Sequence, residues 1–468
     1  MARKWTAAIL IVAWLCSAGL AALAGRIEKI IASQPGGNYA INVVYPKSGA
    51  TIYGYNAKKS LLPASNMKLI TTAAALKYLG PDFEYKTTVS LCGDTLVIVG
   101  SGDPLLGDKD TDSKHDRQPG WMFEEITAVL RAQNIGEIND IIVDTSVFDN
   151  QKVHPNWPAK DYNKWYACEV CGLNYNGNCI EVTTTNRDGA VAIDIDPPTR
   201  FVEIVNNVEA ISKGDEAVGA YRTQQPNKII VFGKCRTRQG PFRVAIENAS
   251  TFFGFLLAEH LGRSGITAKG KLVETTSIGD CDPKLLVTFT TAIADVLGRA
   301  NTDSLGLAAE ALLKTVSAQH NPDGRGGSWE GGRELLCRYL TDLGVSDEEF
   351  NIDDGSGLSR ENRLTTNAIV KVLLDVYRGT NWALFEDSLA VGGEEGTIDR
   401  YFSDMKYRGN VIGKTGYISG VRAFSGLCKT RNGPYIFSVL SNGSKGLSRD
   451  AINDVAKAII DEYGPPAE

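Results

Sequence analysis

Histidine is nearly absent from this 468-residue chain, which has only His115, His154, His260 and His320. None forms an HExxH pair and none stands beside a nucleophile elbow, so zinc-peptidase and Ser-His-Asp hydrolase chemistry both lack their general base. A hydrolytic centre here must take its base from another residue type. An excess of positive charge is missing as well. Lys and Arg number 49 against 55 Asp and Glu, a formal charge of −6, which leaves no basic footprint for nucleic acid. Apolar runs are confined to the first two dozen residues, and no later stretch reaches the roughly 18 apolar residues that a membrane-spanning helix needs.

The remainder is ordinary for a folded chain, with 43% hydrophobic and 22% charged residues. Its length predicts two to four domains at ~100–200 residues each. The opening MARKWTAAILIVAWLCSAGLAALAG has Arg3 and Lys4 before an apolar run, then small residues ending at Ala24. This is the three-part pattern of a secretory signal over residues 1–24, predicting cleavage after Ala24 and export to the periplasm or cell envelope. A lipoprotein site at Cys16 is disfavoured because Leu15 is larger than the small residue wanted there. Beyond Cys16 remain Cys92, Cys168, Cys171, Cys179, Cys235, Cys281, Cys337 and Cys428. An even number in an exported chain permits disulfides without fixing their pairing. Cys168-Glu-Val-Cys171 has the form of a redox or metal pair, yet no second CxxC or His pair accompanies it; a structural disulfide or buried thiols is the simpler reading.

Along the chain, NYAINVVYPKSGATIYGYN alternates like two strands joined at Lys47-Ser48-Gly49. LLPASNMKLITTAAALKYLG reads as a helix, with Pro63 near its start and Gly80 where a C-terminal cap belongs. Short β-type runs punctuated by Gly, Asp, Pro and Asn then dominate, and helical texture returns near residue 291. The C-terminal portion reads as helix, three strands and a closing helix. We expect a catalytic domain formed by residues 25–84 and 278–468, interrupted by β-rich domains over 85–277, its sheet drawing strands from both chain ends.

Two short motifs carry chemistry. Ser65 and Lys68 are three apart on the predicted helix and so share a face. Lys68 lies among Met67, Leu69, Ile70 and a run of Ala, and desolvation there favours a neutral amine able to take the Ser65 proton. Taken alone, such a pair is commonly a surface Ser beside a solvated Lys. The second motif is GNVIGKTGYISG, residues 409–420. A phosphate-binding loop needs four residues between its first Gly and Gly-Lys-Thr and then opens a helix. Here only Asn410, Val411 and Ile412 intervene, and the following residues read as a strand turning into another strand. Lys414-Thr415-Gly416 is therefore expected on a strand, with Gly416 admitting a substrate backbone to the edge. Lys414 and Thr415 would meet a carboxylate.

Together with Ser304 between them, these motifs form the acylating set of penicillin-binding proteins and class A β-lactamases. More specifically, LPASNMKLITTAAALKYLG, GSGDPLL, DDGSGLSRENRLT, GGEEGTIDRYF and GKTGYISGVRAFSG make the chain resemble the D-alanyl-D-alanine carboxypeptidase/endopeptidase family, the low-molecular-mass class C penicillin-binding proteins. The resemblance runs through nearly the whole mature chain. It implies an α/β fold of penicillin-binding-protein/β-lactamase type, an antiparallel sheet flanked by helices with inserted β-rich domains. It implies peptidoglycan stem peptides as substrates, β-lactams as covalent inhibitors, and no metal or organic cofactor. By position, Ser65 resembles the nucleophile, Lys68 its base and Ser304 the serine that relays a proton to the leaving amine. Lys414, Thr415 and Gly416 resemble the substrate-binding strand, with the backbone N–H groups of Ser65 and Tyr417 as the oxyanion hole. The departure is Gly306, where the family has Asn. Either a neighbouring side chain substitutes, or the enzyme is slow or altered in specificity, or turnover is lost.

Weaker candidates have plainer readings. Asp353, Asp354, Ser356 and Ser359 occupy a Gly-rich turn expected to shape the cleft, and Arg360 reads as a solvated or salt-bridged surface residue. Glu394-Glu395 suggests paired glycosidase carboxylates, but adjacent residues usually point apart. Oligomeric state is not legible. Non-catalytic peptidoglycan binding and a related serine esterase or β-lactamase remain the competing functions.

Overall fold

A computed structural model describes residues 21–34, 37–275, 282–321, 324, 326–443 and 446–467. The predicted leader before residue 21 and Cys281 lie outside these. The chain folds as two compact units. One comprises residues up to 81, 297–312 and from 333 onward; the other comprises 82–296 and 313–332.

The first unit is built on a six-stranded antiparallel sheet. Strands β1 (Asn38–Tyr45) and β2 (Ala50–Tyr55) come from the N-terminal end, whereas β3 (Ala390–Val391), β4 (Val411–Ile418), β5 (Val421–Cys428) and β6 (Tyr435–Asn442) come from the C-terminal end, in the order β3-β4-β5-β6-β1-β2. The junction is β1 against β6, paired from Asn38↔Asn442 to Val44↔Ile436. Alternation along β1 splits its side chains between two faces. Tyr39, Ile41 and Val43 join Phe437 and Val439 of β6 in a core completed by Leu23 and Ile27 from the helix over 21–32 and by Ile452, Val455 and Ile459 from the closing helix Arg449–Tyr463. That N-terminal helix runs through the point where cleavage after Ala24 is expected, and Leu23 is fully buried.

Helix Thr366–Arg378 also packs against β1 and β6, and helix α1 (Met67–Leu79) packs on it, buried continuously from Met67 to Leu76. A helix apolar all round belongs in an interior, and Ala, Leu and Met there pay little rotamer entropy. Gly80, at φ 84°, ends it.

In the second unit a five-stranded sheet runs Leu272–Thr275, Ile141–Asp144, Thr95–Val99, Glu84–Cys92, Lys284–Ala292, and two three-stranded sheets lie within 179–245. Its core gathers Phe123, Tyr175, Phe252, Phe253 and Leu257. The divisions differ from those expected at 84/85 and 277/278. Lys284–Ala292 hydrogen-bonds antiparallel to Glu84–Cys92 and so lies in this unit. Cys92 is disulfide-bonded. Cys168 and Cys171 are buried free thiols, and burial pushes both above the ordinary thiol range, the opposite of a reactive redox pair.

Candidate active site

Ser65 sits in a single 3-10 turn, Ala64–Asn66, immediately before α1. Ala64 is held at φ 45°, a left-handed conformation costing about 1–3 kcal/mol in a residue with a side chain. Lys68, one turn on, is 2% exposed, and its Nζ lies 3.3 Å from Ser65 Oγ and donates to the Ser356 carbonyl at 2.9 Å. Burial brings the Lys68 amine down to about 8, opposed by the negative charges of Glu310 and Asp354. A minority of the amine is then neutral near pH 7, with a lone pair available to face the Ser65 hydroxyl.

The KTG triplet lies in β4 as expected, and the strand turns into β5 with Tyr417 opposite Arg422. This is a hairpin, which excludes the phosphate-loop reading. On its outer edge β4 pairs with β3 only at Ile412 and Gly413, so the backbone from Lys414 onward has no strand partner there among the described residues. Gly416 is essential to the approach. A Cβ added to it would lie 2.9 Å from the Pro63 carbonyl and 3.1 Å from the Ser65 nitrogen. The triplet is thus fitted directly against the turn that carries Ser65. Thr415 is buried and donates to Thr397 Oγ1 at 2.8 Å, while Tyr417 is 64% exposed.

Lys414 is fully buried, with its Nζ on the Thr415 carbonyl at 3.1 Å. Burial holds its amine well below the usual range, the charge on Lys68 adds to this, Asp303 opposes it and Arg449 reinforces it. Two buried lysines thus lie close together, and the charge on Lys68 disfavours protonation of Lys414.

Ser304 precedes helix α2 (Gly306–His320) and is half-buried at φ 64°, a second left-handed residue with a side chain. No hydrogen bond joins its Oγ to Ser65, Lys68 or Lys414 among the described residues. Gly306 is buried at the first position of α2 and contributes no side chain.

The Gly-rich turn 353–362 does more than shape a cleft. Asp354 accepts from the N–H groups of Gly357 and Ser359 and from the Asn362 amide at 2.6–2.7 Å. Asp353 pairs with Arg333 at 3.2 Å and receives the Ser359 hydroxyl. Gly357, at φ 85°, passes so close to Ala64 that a Cβ would lie 1.9 Å from its carbonyl oxygen. Arg360 donates to the Ser419 carbonyl at 3.0 Å. Glu394 and Glu395 are both exposed, and Glu394 pairs with Arg408.

Sequence reasoning missed the residues that join these parts. Asn66 donates to the Lys414 carbonyl at 2.8 Å and accepts from Ser425 Oγ at 2.6 Å. Glu310 accepts from the backbone of Gly355 and Ser356. A signal existed for Glu310, since it is the single charge in GLAAEALL, where an apolar helix face would otherwise be uninterrupted.

Comparison with known proteins agrees with this geometry. The D-alanyl-D-alanine carboxypeptidase of Actinomadura sp. (strain R39) is 28% identical over 449 residues, covering 90% of this chain and 80% of that protein. Penicillin binding protein 4 (dacB) of Haemophilus influenzae, 22% identical, superposes with a TM-score of 0.78 over 94% of this chain and 99% of its own. The same protein complexed with a β-lactam gives 0.73 at 21% identity, over 93% and 99%. These likenesses establish the penicillin-binding-protein α/β fold. The model of the D-Ala-D-Ala carboxypeptidase 3 (S13) family matches residues 23–462, and the chain belongs to that family of serine D-Ala-D-Ala carboxypeptidases.

Proposed function

We propose that this chain is an exported carboxypeptidase and endopeptidase of peptidoglycan stem peptides that works through an acyl-enzyme on Ser65. The observation carrying this reading is Lys68 Nζ at 3.3 Å from Ser65 Oγ, in a site that brings the amine down to about 8. Neutral Lys68 takes the Ser65 proton as Oγ attacks the carbonyl carbon of the penultimate D-Ala. The oxyanion forms against the N–H groups of Ser65 and Tyr417. Ser304 relays a proton to the departing amine, and the C–N bond breaks to leave an ester on Ser65. Water then hydrolyses that ester, giving a proton to Lys68, which passes it to the departing Ser65 oxygen and so restores the hydroxyl and the neutral amine.

Thr415 is the residue of the triplet suited to meet the terminal carboxylate. Lys414, fully buried with its Nζ on the Thr415 carbonyl, positions this stretch of the strand rather than making a direct contact. The open edge of β4 supports a peptide lying along the strand. A β-lactam carbonyl meets the same nucleophile, but its amine stays tethered after ring opening, so the acyl-enzyme persists. Export rests on the hydropathy of residues 1–24; among the described residues no helix is long and apolar enough to cross a membrane.

Gly306 supports a second reading, a peptidoglycan-binding protein with impaired turnover. Fluorescent penicillin labelling of the purified protein and of Ser65→Ala, together with D-Ala release from a stem pentapeptide, separates the two. The first reading expects labelling that Ser65→Ala abolishes, accompanied by D-Ala release. Peptide binding without labelling or release establishes the second.

A further inference from the structure

Lys68 is held from behind by a part of the molecule that the acylation chemistry does not call on. Glu310 lies on the second turn of α2 and is fully buried. Its two carboxylate oxygens are divided between consecutive backbone donors, Oε2 taking the Gly355 N–H at 3.0 Å and Oε1 the Ser356 N–H at 2.7 Å. The carbonyls of those same two residues face α1. Gly355 O receives the Thr71 hydroxyl at 2.8 Å, and Ser356 O receives Lys68 Nζ at 2.9 Å. The peptide segment 355–356 is thus clamped, its donors on one carboxylate and its acceptors on the nucleophile helix. A buried carboxylate is costly unless its oxygens are satisfied by good donors, and two backbone N–H groups supply them.

We propose that Glu310 is the positioning residue of the general base: through the Ser356 carbonyl it fixes Lys68 Nζ against Ser65, and its charge sets the protonation of that amine. This inference rests on the acyl-transfer reading above. The charged groups around Lys68 are few. Glu310 faces it from α2 and Asp354 from the Gly-rich turn, both favouring the ammonium, while Lys414 on β4 is itself held below the usual range by burial and by the Lys68 charge. Asp354 is already engaged by three donors within its own turn. Glu310 is the carboxylate whose hydrogen bonds run directly to the peptide that holds Lys68.

The sign follows. Removing the Glu310 charge disfavours the ammonium, so the neutral amine should form at lower pH. Glu310→Gln is expected to move the acid limb of penicillin acylation down by at least about half a pH unit. Its plateau rate should fall roughly tenfold because the amide nitrogen that replaces one carboxylate oxygen cannot accept that oxygen's N–H. Glu310→Asp keeps the charge but retracts it by one methylene, so the limb should stay near the parent's while the plateau falls. A purely structural role would lower the thermal midpoint or plateau and leave the limb of Glu310→Gln in place. That result overturns the proposal, as does a parental plateau in Glu310→Asp should the glutamine variant fail to fold. NMR titration of isotope-labelled Lys68, assigned with Lys68→Arg, reads the same midpoint without turnover. An unlabelled parent would defeat the acyl-transfer reading, yet the NMR midpoint in Glu310→Gln would still decide for or against Glu310.

Discussion

Asn66 and Lys414 stand 348 residues apart in the chain, yet the Asn66 amide donates to the Lys414 carbonyl at 2.8 Å, both residues fully buried. The other end of the same amide receives the Ser425 hydroxyl, itself in contact with Ser438 at 2.8 Å. One side chain, adjacent to the nucleophile, therefore ties its turn to three strands of the sheet. Asn66→Ala should leave a buried carbonyl and a buried hydroxyl without this partner, costing about 2–4 kcal/mol. Denaturant unfolding measures the cost. A loss below about 0.5 kcal/mol would show that the strands hold the turn without it.

Gly416→Ala should damage chemistry more than stability. The added methyl meets the Pro63 carbonyl and the Ser65 nitrogen, so the strand and the Ser65 turn must separate by a few tenths of an ångström, displacing both N–H groups proposed for the oxyanion. Acylation by penicillin is expected to fall at least about tenfold. Stopped-flow acylation beside a thermal melt tests this, and an unchanged rate would mean that the oxyanion donors lie elsewhere.

The parent should acylate faster as pH rises through about 8, the value to which burial brings Lys68. Below it the ammonium holds the proton and has no lone pair for Ser65; above it the neutral amine does. The measurement is the second-order acylation rate across pH. A flat profile over about 6 to 10 would remove Lys68 as the base.

Gly306→Asn places at the start of α2 the amide that the sequence resemblance implies there. It is expected to raise D-Ala release at least about threefold through an added substrate contact. An unchanged or lower rate would show that the surrounding site has adapted to glycine.

What was legible in the sequence was local. Ser65 and Lys68 could be placed near each other because a three-residue spacing on a helical turn brings two side chains together, although Ser65 lies in the 3-10 turn just before the helix, and Lys414-Thr415-Gly416 could be placed on a strand because the β-branched and Gly texture around it forbids a helix. The strands at both chain ends were visible from alternation. Lys284–Ala292 was not singled out as a strand, and alternation says only which face is buried and not which sheet is joined, so its pairing with Glu84–Cys92 was out of reach. Asn66, Glu310 and the Ser356 carbonyl were missed for the same reason. Their partners lie tens to hundreds of residues away, and a backbone carbonyl has no letter in the sequence.

The pairing of β1 with β6 also governs when the site comes into being during synthesis. A ribosome that has made the first quarter of the chain has already emitted Ser65 and Lys68, but the strand that aligns them and the carbonyl that Asn66 grips are among the last segments to emerge. Contacts of such long range close slowly. The nascent enzyme therefore carries a nucleophile with no cleft around it, and becomes competent only as its final strands and closing helix take their places.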